Sequence, residues 1–249
     1  MIVTETIFEN VKVIKENAEK AAKVSGRDIS EIRIVPATKT VSPERINLLY
    51  DCGITEIGEN RVQELLEKYD RLDKRFKIHF IGKLQTNKVK YIVDKVDMIH
   101  SVDSVKLCAE ISKRALAAGR VIDVLIEVNI GREESKSGVL PEELLMLVRE
   151  GAQFKGVRIV GLMVIPPIIS SSEVQKKASE HDSSQKVYTS KAYFKKVKEL
   201  SLDILREKID NVIMQELSMG MSEDYCEAIE CGATIIRPGR AIFGERNYK

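Results

Sequence analysis

The sequence predicts an α/β protein built as a TIM (β/α)8 barrel, with an extra helix before the first strand. Eight short apolar runs rich in β-branched residues recur along the 249 residues, and helical patterns lie between them. An alternation of strands and helices of this length has the size and order of a TIM barrel. Several runs, such as VLIEV and RIVGLMVI, are apolar at nearly every position, which is typical of strands buried on both faces of a parallel sheet.

The extra N-terminal helix is predicted from the spacing of apolar residues. Residues three and four positions apart are apolar, so they share one face of a helix. These residues are Ile7, Val11, Ile14, Ala18 and Ala21. Gly26 marks the end of this helix.

The strand predictions follow the apolar runs. The eight predicted strands are Ile32–Ala37, Ile54–Gly58, Ile78–Ile81, Met98–Val102, Val121–Asn129, Val157–Ile165, Val212–Leu217 and Thr234–Arg237. A doubly wound open sheet is the main rival fold. It usually has fewer strands and often a glycine-rich first turn, and no G-x-G-x-x-G pattern follows any of these runs.

Capping patterns predict helices between the strands. Ser42-Pro43-Glu44 places an N-cap, a first-turn proline and a first-turn acid in order, and Gly53 closes that helix. The other predicted helices begin at Asp103 or Ser104, begin at Pro141, include Phe194–Ile204, and run from Ser222 to near Gly232.

One domain over residues 1–249 is expected, with a polar insertion. Hydrophobic residues make up 43% of the chain, which allows a large core. The serine-rich stretch from Ser170 to Ser190 is predicted as a surface insertion between the sixth strand and its helix. After Arg237 only about a dozen residues remain, so no second domain is expected.

Charge and hydropathy argue against several classes of partner. Lys plus Arg is 40 and Asp plus Glu is 38, so no broad basic field for nucleic acid is expected. The longest uncharged apolar run, Ile159–Ile169, is too short to span a bilayer, and the N-terminus has no signal-peptide core. The four cysteines lack metal-ligand spacing. We therefore expect a cytoplasmic protein with no metal site, no nucleic-acid partner and no membrane association.

Lys39 is the first candidate for chemistry. Active sites of TIM barrels lie at the carboxyl ends of the strands, and Lys39 directly follows the first strand. Partial burial and neighbouring cations lower the pKa of an amine, which makes it nucleophilic enough to form a Schiff base with a carbonyl. The alternative is an ordinary solvated lysine.

A second candidate is a phosphate cradle after strands seven and eight. The segments LSMGMS (Leu217–Ser222) and RPGR (Arg237–Arg240) occupy the loops with which TIM barrels often bind phosphate. Gly239 allows close approach of the backbone, and Arg240 offers a charge-assisted bond. The alternative is two ordinary turns. A lysine opposite such a cradle suggests a phosphorylated carbonyl compound, of which pyridoxal phosphate is the obvious member.

Other polar residues have weaker cases. His79 and His100 lie within apolar strands, where a hydrogen-bonded core histidine is as plausible as a functional one, and His181 lies in the polar insertion. Glu59 and Glu127 are interpreted either as acids or bases or as ion-pair partners inside the barrel. The basic stretch Lys83–Lys90 is interpreted as a solvated helix start.

The same residues carry a family resemblance. The segments that carry it are PATKT (Pro36–Thr40), IGENRVQE (Ile57–Glu64), HFIGKLQTNK (His79–Lys88), SVDS (Ser101–Ser104), SKSG (Ser135–Gly138), GLMVIPP (Gly161–Pro167) and the stretch Leu217–Arg246. They occur in order and resemble the pyridoxal phosphate homeostasis protein family, also called the YggS/PROSC family. HFIG-LQ-NK and LSMGMS-D together are highly specific.

The resemblance implies a fold type III barrel, like the N-terminal domain of alanine racemase, with pyridoxal phosphate at its mouth. Lys39 matches the lysine that holds the cofactor as a Schiff base, and Arg237 matches the arginine that faces the pyridine nitrogen. Ser218, Gly239 and Arg240 fall at phosphate-binding positions, with Met219 and Ser222 nearby. The residues that match the pocket lining are Asn60, His79 and Met163. Two departures are Pro238, which lacks a backbone N–H, and Arg240, where a hydroxyl residue is common.

The resemblance also implies a carrier without an established catalytic reaction. The expected protein stores or delivers pyridoxal phosphate, with apoenzymes as possible partners, and is a monomer. The first alternative is a racemase or related enzyme that uses Lys39 as its base. The others are a barrel enzyme acting on a phosphorylated sugar, and a partner-binding barrel with a vestigial site.

Overall fold

A closed barrel of eight parallel strands forms the centre of the molecule. The computed structural model describes residues 2–167 and 189–245. The strands are β1 Arg33–Ile34, β2 Glu56–Glu59, β3 Lys77–Phe80, β4 Met98–Val102, β5 Ile122–Glu127, β6 Val157–Met163, β7 Val212–Ser218 and β8 Ile235–Ile236. They are hydrogen-bonded in the order β1-β8-β7-β6-β5-β4-β3-β2, and every pairing is parallel.

The barrel closes just beyond β1. The Gly58 N–H in β2 donates to the Pro36 carbonyl at 2.8 Å, and the Thr38 N–H donates to the Gly58 carbonyl at 2.9 Å. These bonds form a parallel bridge between Ala37 and Gly58. The predicted TIM barrel with an extra N-terminal helix is therefore confirmed.

Helices surround the barrel. They are α1 Ile2–Val24, α2 Pro43–Asp51, α3 Val62–Tyr69, α4 Val105–Ala117, α5 Leu144–Gly151, α6 Ser190–Arg206, α7 Tyr225–Glu230 and α8 Arg240–Phe243, with 3-10 helices at Ile29–Glu31 and Thr86–Tyr91. The extra helix α1 packs against α2, α7 and α8. It buries the predicted apolar face of Ile7, Val11, Ile14, Ala18 and Ala21.

Local caps explain several helix starts. The Ser104 hydroxyl accepts from the Leu107 N–H at 3.4 Å, which places the start of α4 where the sequence predicts it. The Thr189 hydroxyl caps α6 by accepting from the Ala192 N–H at 3.3 Å. Ser190 is therefore the first residue of a helix rather than the last residue of the polar insertion. The rest of that insertion, including His181, lies outside the described residues.

The core has two layers. The larger layer lies between the barrel and its helices. The smaller layer fills the barrel interior, here called the lumen, and consists of Val35, Met98, Leu125, Val160, Met163 and Ile235. Because side chains alternate along a strand, His100 lies on the same face of β4 as Met98. The lumen therefore combines apolar packing with buried polar side chains.

The boundaries differ from prediction at helix starts and strand ends. α5 begins at Leu144 rather than Pro141, and α7 begins at Tyr225 rather than Ser222, because a turn precedes each helix. Helix α3 is not predicted from the sequence, because its N-cap residue Arg61 makes no side-chain cap. Within residues 2–167 and 189–245, no helix combines the length and apolarity that crossing a membrane requires.

Candidate binding site at the barrel mouth

A cavity of about 650 Å³ lies at the carboxyl ends of β1 and β8 and beside the loop after β7. We call it the mouth cavity. The lining residues that matter for its chemistry are Lys39, Pro166, Ser222, Asp224, Arg237 and Arg240. The fold thus brings the predicted lysine and the predicted cradle segments to one cavity.

Lys39 lies in a turn that is held on both sides. The preceding Thr38 donates its hydroxyl to Glu59 Oε1 at 2.6 Å. The Thr40 N–H donates to Glu64 Oε1 at 2.5 Å. The half-buried Lys39 side chain lines both the mouth cavity and an adjoining cavity of about 160 Å³. The backbone that carries Lys39 is therefore fixed, and its side chain borders space for a ligand.

A buried ion-pair cluster stands behind this turn. Lys68 Nζ from α3 donates to the Thr38 carbonyl at 2.9 Å and lies 3.2 Å from Glu59 Oε1 and 2.5 Å from Glu64 Oε1. We call Glu59, Glu64 and Lys68 the anchor cluster. Burial raises the pKa of Glu59, and the charge of Lys68 opposes that shift. Of the two interpretations offered for Glu59, the structure shows the ion-pair partner.

Sequence reasoning missed Lys68. The signal that could have found it is the spacing of Glu64 and Lys68, which is four residues and is typical of an ion pair along a helix. Because helix α3 was not predicted, Glu64 and Lys68 could not be assigned to one face of a helix.

Arg237 is held rigidly at the end of β8. It is 3% exposed, its Nη2 donates to the Val164 carbonyl at 2.9 Å, and its Nη1 donates to the Ser218 hydroxyl. Burial lowers the pKa of Arg237 to about 10, against the attraction of Glu127 and Asp224. The group therefore remains a guanidinium at neutral pH and can only donate hydrogen bonds.

The cradle segments meet at Ser222. Its hydroxyl accepts from the Gly239 N–H and the Ala241 N–H, each at 3.1 Å. Arg240 lies at the rim of the cavity, where its guanidinium is 2.5 Å from Glu223. Ser222, Gly239 and Arg240 thus all line the mouth cavity, and the Ser222 hydroxyl holds the Gly239 turn in place.

Gly220 and Pro238 shape this side of the cavity. Gly220 has a φ of 91°, and a Cβ there would lie 2.6 Å from the Ala228 Cβ, so this position requires glycine. The Gly220 carbonyl accepts from the Arg237 N–H at 2.9 Å. The Pro238 carbonyl accepts from the Ala37 N–H at 3.0 Å. Pro238 therefore stabilises the junction beside Lys39, and the next donor along the chain is the Gly239 N–H.

The remaining predicted site residues lie deeper. Ser218, His79 and Met163 are buried; Ser218 and His79 form hydrogen bonds inside the barrel, and Met163 belongs to the lumen layer. Met219 is fully buried in the layer between barrel and helices. Asn60 is half-buried directly after β2. These five residues therefore do not all share one surface.

Several buried polar atoms at the carboxyl ends of strands lack partners. Among the described residues, Asn60 Oδ1, Ser101 Oγ and Glu127 Oε2 are buried and accept or donate no hydrogen bond. Leaving such an atom unsatisfied costs about 1–3 kcal/mol. Sites that retain this cost usually have a bound polar molecule or water to complete them. Lys39, Arg237 and Arg240 line the mouth cavity itself, and this lining suits an anion that also carries an amine-reactive carbonyl.

Comparisons with known proteins place the chain in a family. The family profile described as "Alanine racemase, N-terminal domain" matches residues 5–247. The pyridoxal phosphate homeostasis protein of Aquifex aeolicus is 45% identical over 241 residues, covering 96% of this chain and 98% of that protein. Its counterpart in Haemophilus influenzae is 33% identical and covers 97% of both chains.

Solved structures show the same similarity. PipY of Synechococcus elongatus, solved with pyridoxal phosphate bound, superposes with a TM-score of 0.73 at 29% identity, covering 92% of this chain and 100% of that chain. A protein of Bifidobacterium adolescentis described as unknown superposes with a TM-score of 0.86 at 32% identity, covering 97% and 96%. Alanine racemase of Clostridium difficile shares the fold, with a TM-score of 0.67 at 15% identity, covering 96% of this chain and 58% of that enzyme.

Proposed function

The chain belongs to the alanine racemase N-terminal domain family and, through its full-length relatives, to the pyridoxal phosphate homeostasis proteins, and on that premise we propose that it binds pyridoxal phosphate at the barrel mouth and stores or delivers it. One observation carries the proposal. Lys39 lines the same cavity as Arg237, Arg240 and the Ser222 turn. An amine and an anion-binding wall are the two features that this cofactor requires.

Lys39 is the covalent anchor in this proposal. Bound pyridoxal phosphate supplies an aldehyde that reacts with amines. Lys39 Nζ would hold the cofactor covalently through that aldehyde, as a Schiff base. The anchor cluster holds the Lys39 backbone in place, so the amine is presented from a fixed turn.

Arg237 favours holding over turnover. A guanidinium has no acceptor, so it offers nothing to a protonated pyridinium. A pyridine nitrogen facing Arg237 therefore stays unprotonated and withdraws electrons weakly. The wall formed by Ser222, Gly239 and Arg240 binds the phosphate, and Asn60 offers an unsatisfied oxygen to the remaining polar groups.

The proposal extends to the state of the protein. We propose that it is a single-domain, cytoplasmic monomer and that pyridoxal phosphate-dependent apoenzymes receive its cofactor. Light scattering during gel filtration tests the monomer. Activation of an apoenzyme by the loaded protein, at a rate different from that with free cofactor, tests delivery.

Absorption spectroscopy tests the proposed function directly. Purified protein titrated with pyridoxal phosphate is expected to develop a yellow absorption band, and Lys39→Ala is expected to abolish it. Lys83→Ala is the matched control, because Lys83 is an exposed lysine that follows β3 at the same end of the barrel. Absence of the band in the wild type with excess cofactor would overturn the proposal. Sustained turnover of an amino acid that depends on Lys39 would favour a racemase instead.

A further inference from the structure

A continuous line of buried polar side chains runs through the lumen to Arg237. It consists of Glu56 in β2, His79 in β3, His100 in β4 and Ser218 in β7, and we call it the lumen relay. Glu56 is 8% exposed and His79 is 1% exposed, while His100 and Ser218 are fully buried. No role assigned so far uses His100 or Glu56.

The contacts of the lumen relay are consecutive. Glu56 Oε2 lies 3.4 Å from His79 Nε2. His79 Nδ1 lies 2.9 Å from His100 Nε2, and His100 Nδ1 lies 2.9 Å from the Ser218 hydroxyl. That hydroxyl also accepts from Arg237 Nη1. The line therefore joins a carboxylate at the amino-terminal end of the barrel to the guanidinium at its mouth.

The two ends determine where each proton lies. Glu56 is ion-paired with Arg33 at 3.4 Å, and its negative charge favours a hydrogen on His79 Nε2, the ring nitrogen that faces it at 3.4 Å. A neutral His79 then accepts at Nδ1, which requires His100 to donate from Nε2 and accept at Nδ1. Burial lowers the pKa of His79 to about 3 and lowers the pKa of His100 well below its usual value, which agrees with two neutral rings.

The same logic orients Ser218. Its O–H donates to His100 Nδ1, which leaves its oxygen lone pairs for Arg237. The reverse order would turn the lone pair of His79 Nε2 toward the Glu56 carboxylate and would leave the Ser218 hydrogen without an acceptor in the relay, since a guanidinium accepts nothing. The first proton arrangement therefore fits the contacts of the lumen relay better.

We propose that the lumen relay is a positioning device for Arg237, in which His79 and His100 transmit the hydrogen-bond direction set by Glu56 so that Ser218 presents an acceptor to the guanidinium. His79 and His100 are positioning residues and do not contact the cofactor. The inference rests on the proposed function, because it assigns Arg237 to the pyridine nitrogen of bound pyridoxal phosphate.

Nitrogen-15 NMR of the histidine side chains tests the relay without cofactor. The chain has three histidines, and a His181→Asn variant assigns the other two by elimination. His79 and His100 are expected as neutral rings with hydrogen on Nε2. A hydrogen on Nδ1 of either ring, or a protonated ring at neutral pH, would overturn the proposal even if the cofactor binds.

A matched pair of variants tests the link to the cofactor. Glu56→Gln removes the charged end of the relay. Glu216→Gln removes the other carboxylate paired with Arg33, at 2.8 Å, without touching a histidine. We expect Glu56→Gln to weaken pyridoxal phosphate binding about fivefold, the size of one lost hydrogen bond, and to mix the histidine tautomers. Glu216→Gln is expected to change affinity less than about twofold.

The outcomes separate the two proposals. Equal effects of both variants on affinity and tautomers would overturn the relay, and thermal melting shows whether each variant is folded. If Glu56→Gln does not fold, the tautomers of His79 and His100 in the wild type still decide whether the lumen relay has the proposed proton arrangement. If the wild type binds no pyridoxal phosphate, the proposed function fails, while the NMR result still reports whether the proton arrangement exists.

Discussion

The two ends of the barrel carry cavities of nearly equal volume but different chemistry. The mouth cavity measures about 650 Å³. A second cavity of about 630 Å³, the floor cavity, lies where α1 meets the amino-terminal ends of β1 and β2. At the floor, two cationic side chains have partners within the protein. Arg33 is ion-paired with Glu56 and Glu216, and Lys15 Nζ donates a hydrogen bond to the Cys52 carbonyl at 2.6 Å.

The residues around the mouth cavity differ in polarity from those around the floor cavity. Toward the carboxyl ends of β2, β4 and β5, Asn60, Ser101 and Glu127 have buried polar atoms without partners among the described residues. Around the floor, apolar side chains such as Phe8 and Ile54 supply much of the lining. The two cavities have similar volumes, and unsatisfied buried atoms do not separate them, because the buried Arg33 Nη2 at the floor also makes no hydrogen bond. The more polar lining of the mouth, which includes Lys39, Arg237 and Arg240, separates them.

The largest expected effect comes from the anchor cluster at the mouth. Lys68→Ala is expected to lower the free energy of unfolding by about 3–5 kcal/mol, because it leaves the fully buried Glu59 without its cation. Lys74→Ala is the control, since Lys74 pairs with Asp70 at 3.8 Å on the surface and such pairs contribute about 0–1 kcal/mol. Urea denaturation measures both. Similar losses in the two variants would show that the cluster is not a buried network.

Acid is the next strongest perturbation, and it acts on the lumen between the two cavities. Burial, with Arg33 and Lys77 nearby, lowers the pKa of His79 to about 3 from 6.5. Below pH 6.5 the unfolded chain binds protons that the folded His79 refuses, so stability falls as pH falls toward 3. The expected slope is about 1.4 kcal/mol per pH unit for each such histidine.

His79→Gln isolates this contribution. Burial raises the pKa of Glu59 and of Glu127, so these groups add stability as the pH falls toward their ordinary values, opposite in sign to the histidines. The contribution of Glu59 and Glu127 is the same in the wild type and in His79→Gln, so it cancels when the pH dependence of stability is compared between them. Urea midpoints measured from pH 7 to pH 5 should fall less steeply in His79→Gln than in the wild type; parallel slopes would contradict a neutral buried His79.

A smaller effect is expected at the rim of the mouth. Arg240→Ala should weaken pyridoxal phosphate binding about fivefold through the loss of one charge-assisted bond, with a smaller penalty at high salt. Arg132→Ala is a close control, because both arginine side chains are 55% exposed and each pairs with a glutamate. Spectroscopic titration at two salt concentrations measures the difference. Equal affinities for the two variants would remove Arg240 from the phosphate wall.

The smallest expected effect lies at the floor. Phe8 is 38% exposed, so Phe8→Ala should cost about 1 kcal/mol of stability and leave the affinity for pyridoxal phosphate within about twofold. Fluorescence or absorbance titration of the folded variant checks this. A large loss of affinity would mean that the floor cavity communicates with the mouth, and the comparison between them would no longer hold.

Most of the fold was predictable from local sequence patterns. Apolar runs located strands such as β2 and β4 because these are buried on both faces, and the predicted run Met98–Val102 matches β4 residue for residue. Ser104 located α4 because its cap is a contact within one turn. α3 was not predicted because its N-cap residue, Arg61, makes no side-chain cap.

The site was predictable only where position along a strand decides the geometry. Lys39 and Arg237 follow strands one and eight, and parallel strands bring their ends together. The partners of His100 were not predictable, because His79 is 21 residues away and Ser218 is 118 residues away in sequence. These contacts arise from the register of the closed barrel, which no local pattern encodes.

The closure between β1 and β2 has a dynamic consequence. The bridge at Ala37 and Gly58 rests on two backbone hydrogen bonds, and Pro36 beside it has no N–H to add. A short ladder opens at lower free energy than a long one, so the amides of Thr38 and Gly58 should exchange hydrogen faster than those of β5 and β6. Lys39 directly follows Thr38. A ligand attached to Lys39 would slow hydrogen exchange of the Thr38 and Gly58 amides. Deuterium uptake at these two amides, compared with uptake in β5 and β6, would therefore report whether the mouth cavity is occupied.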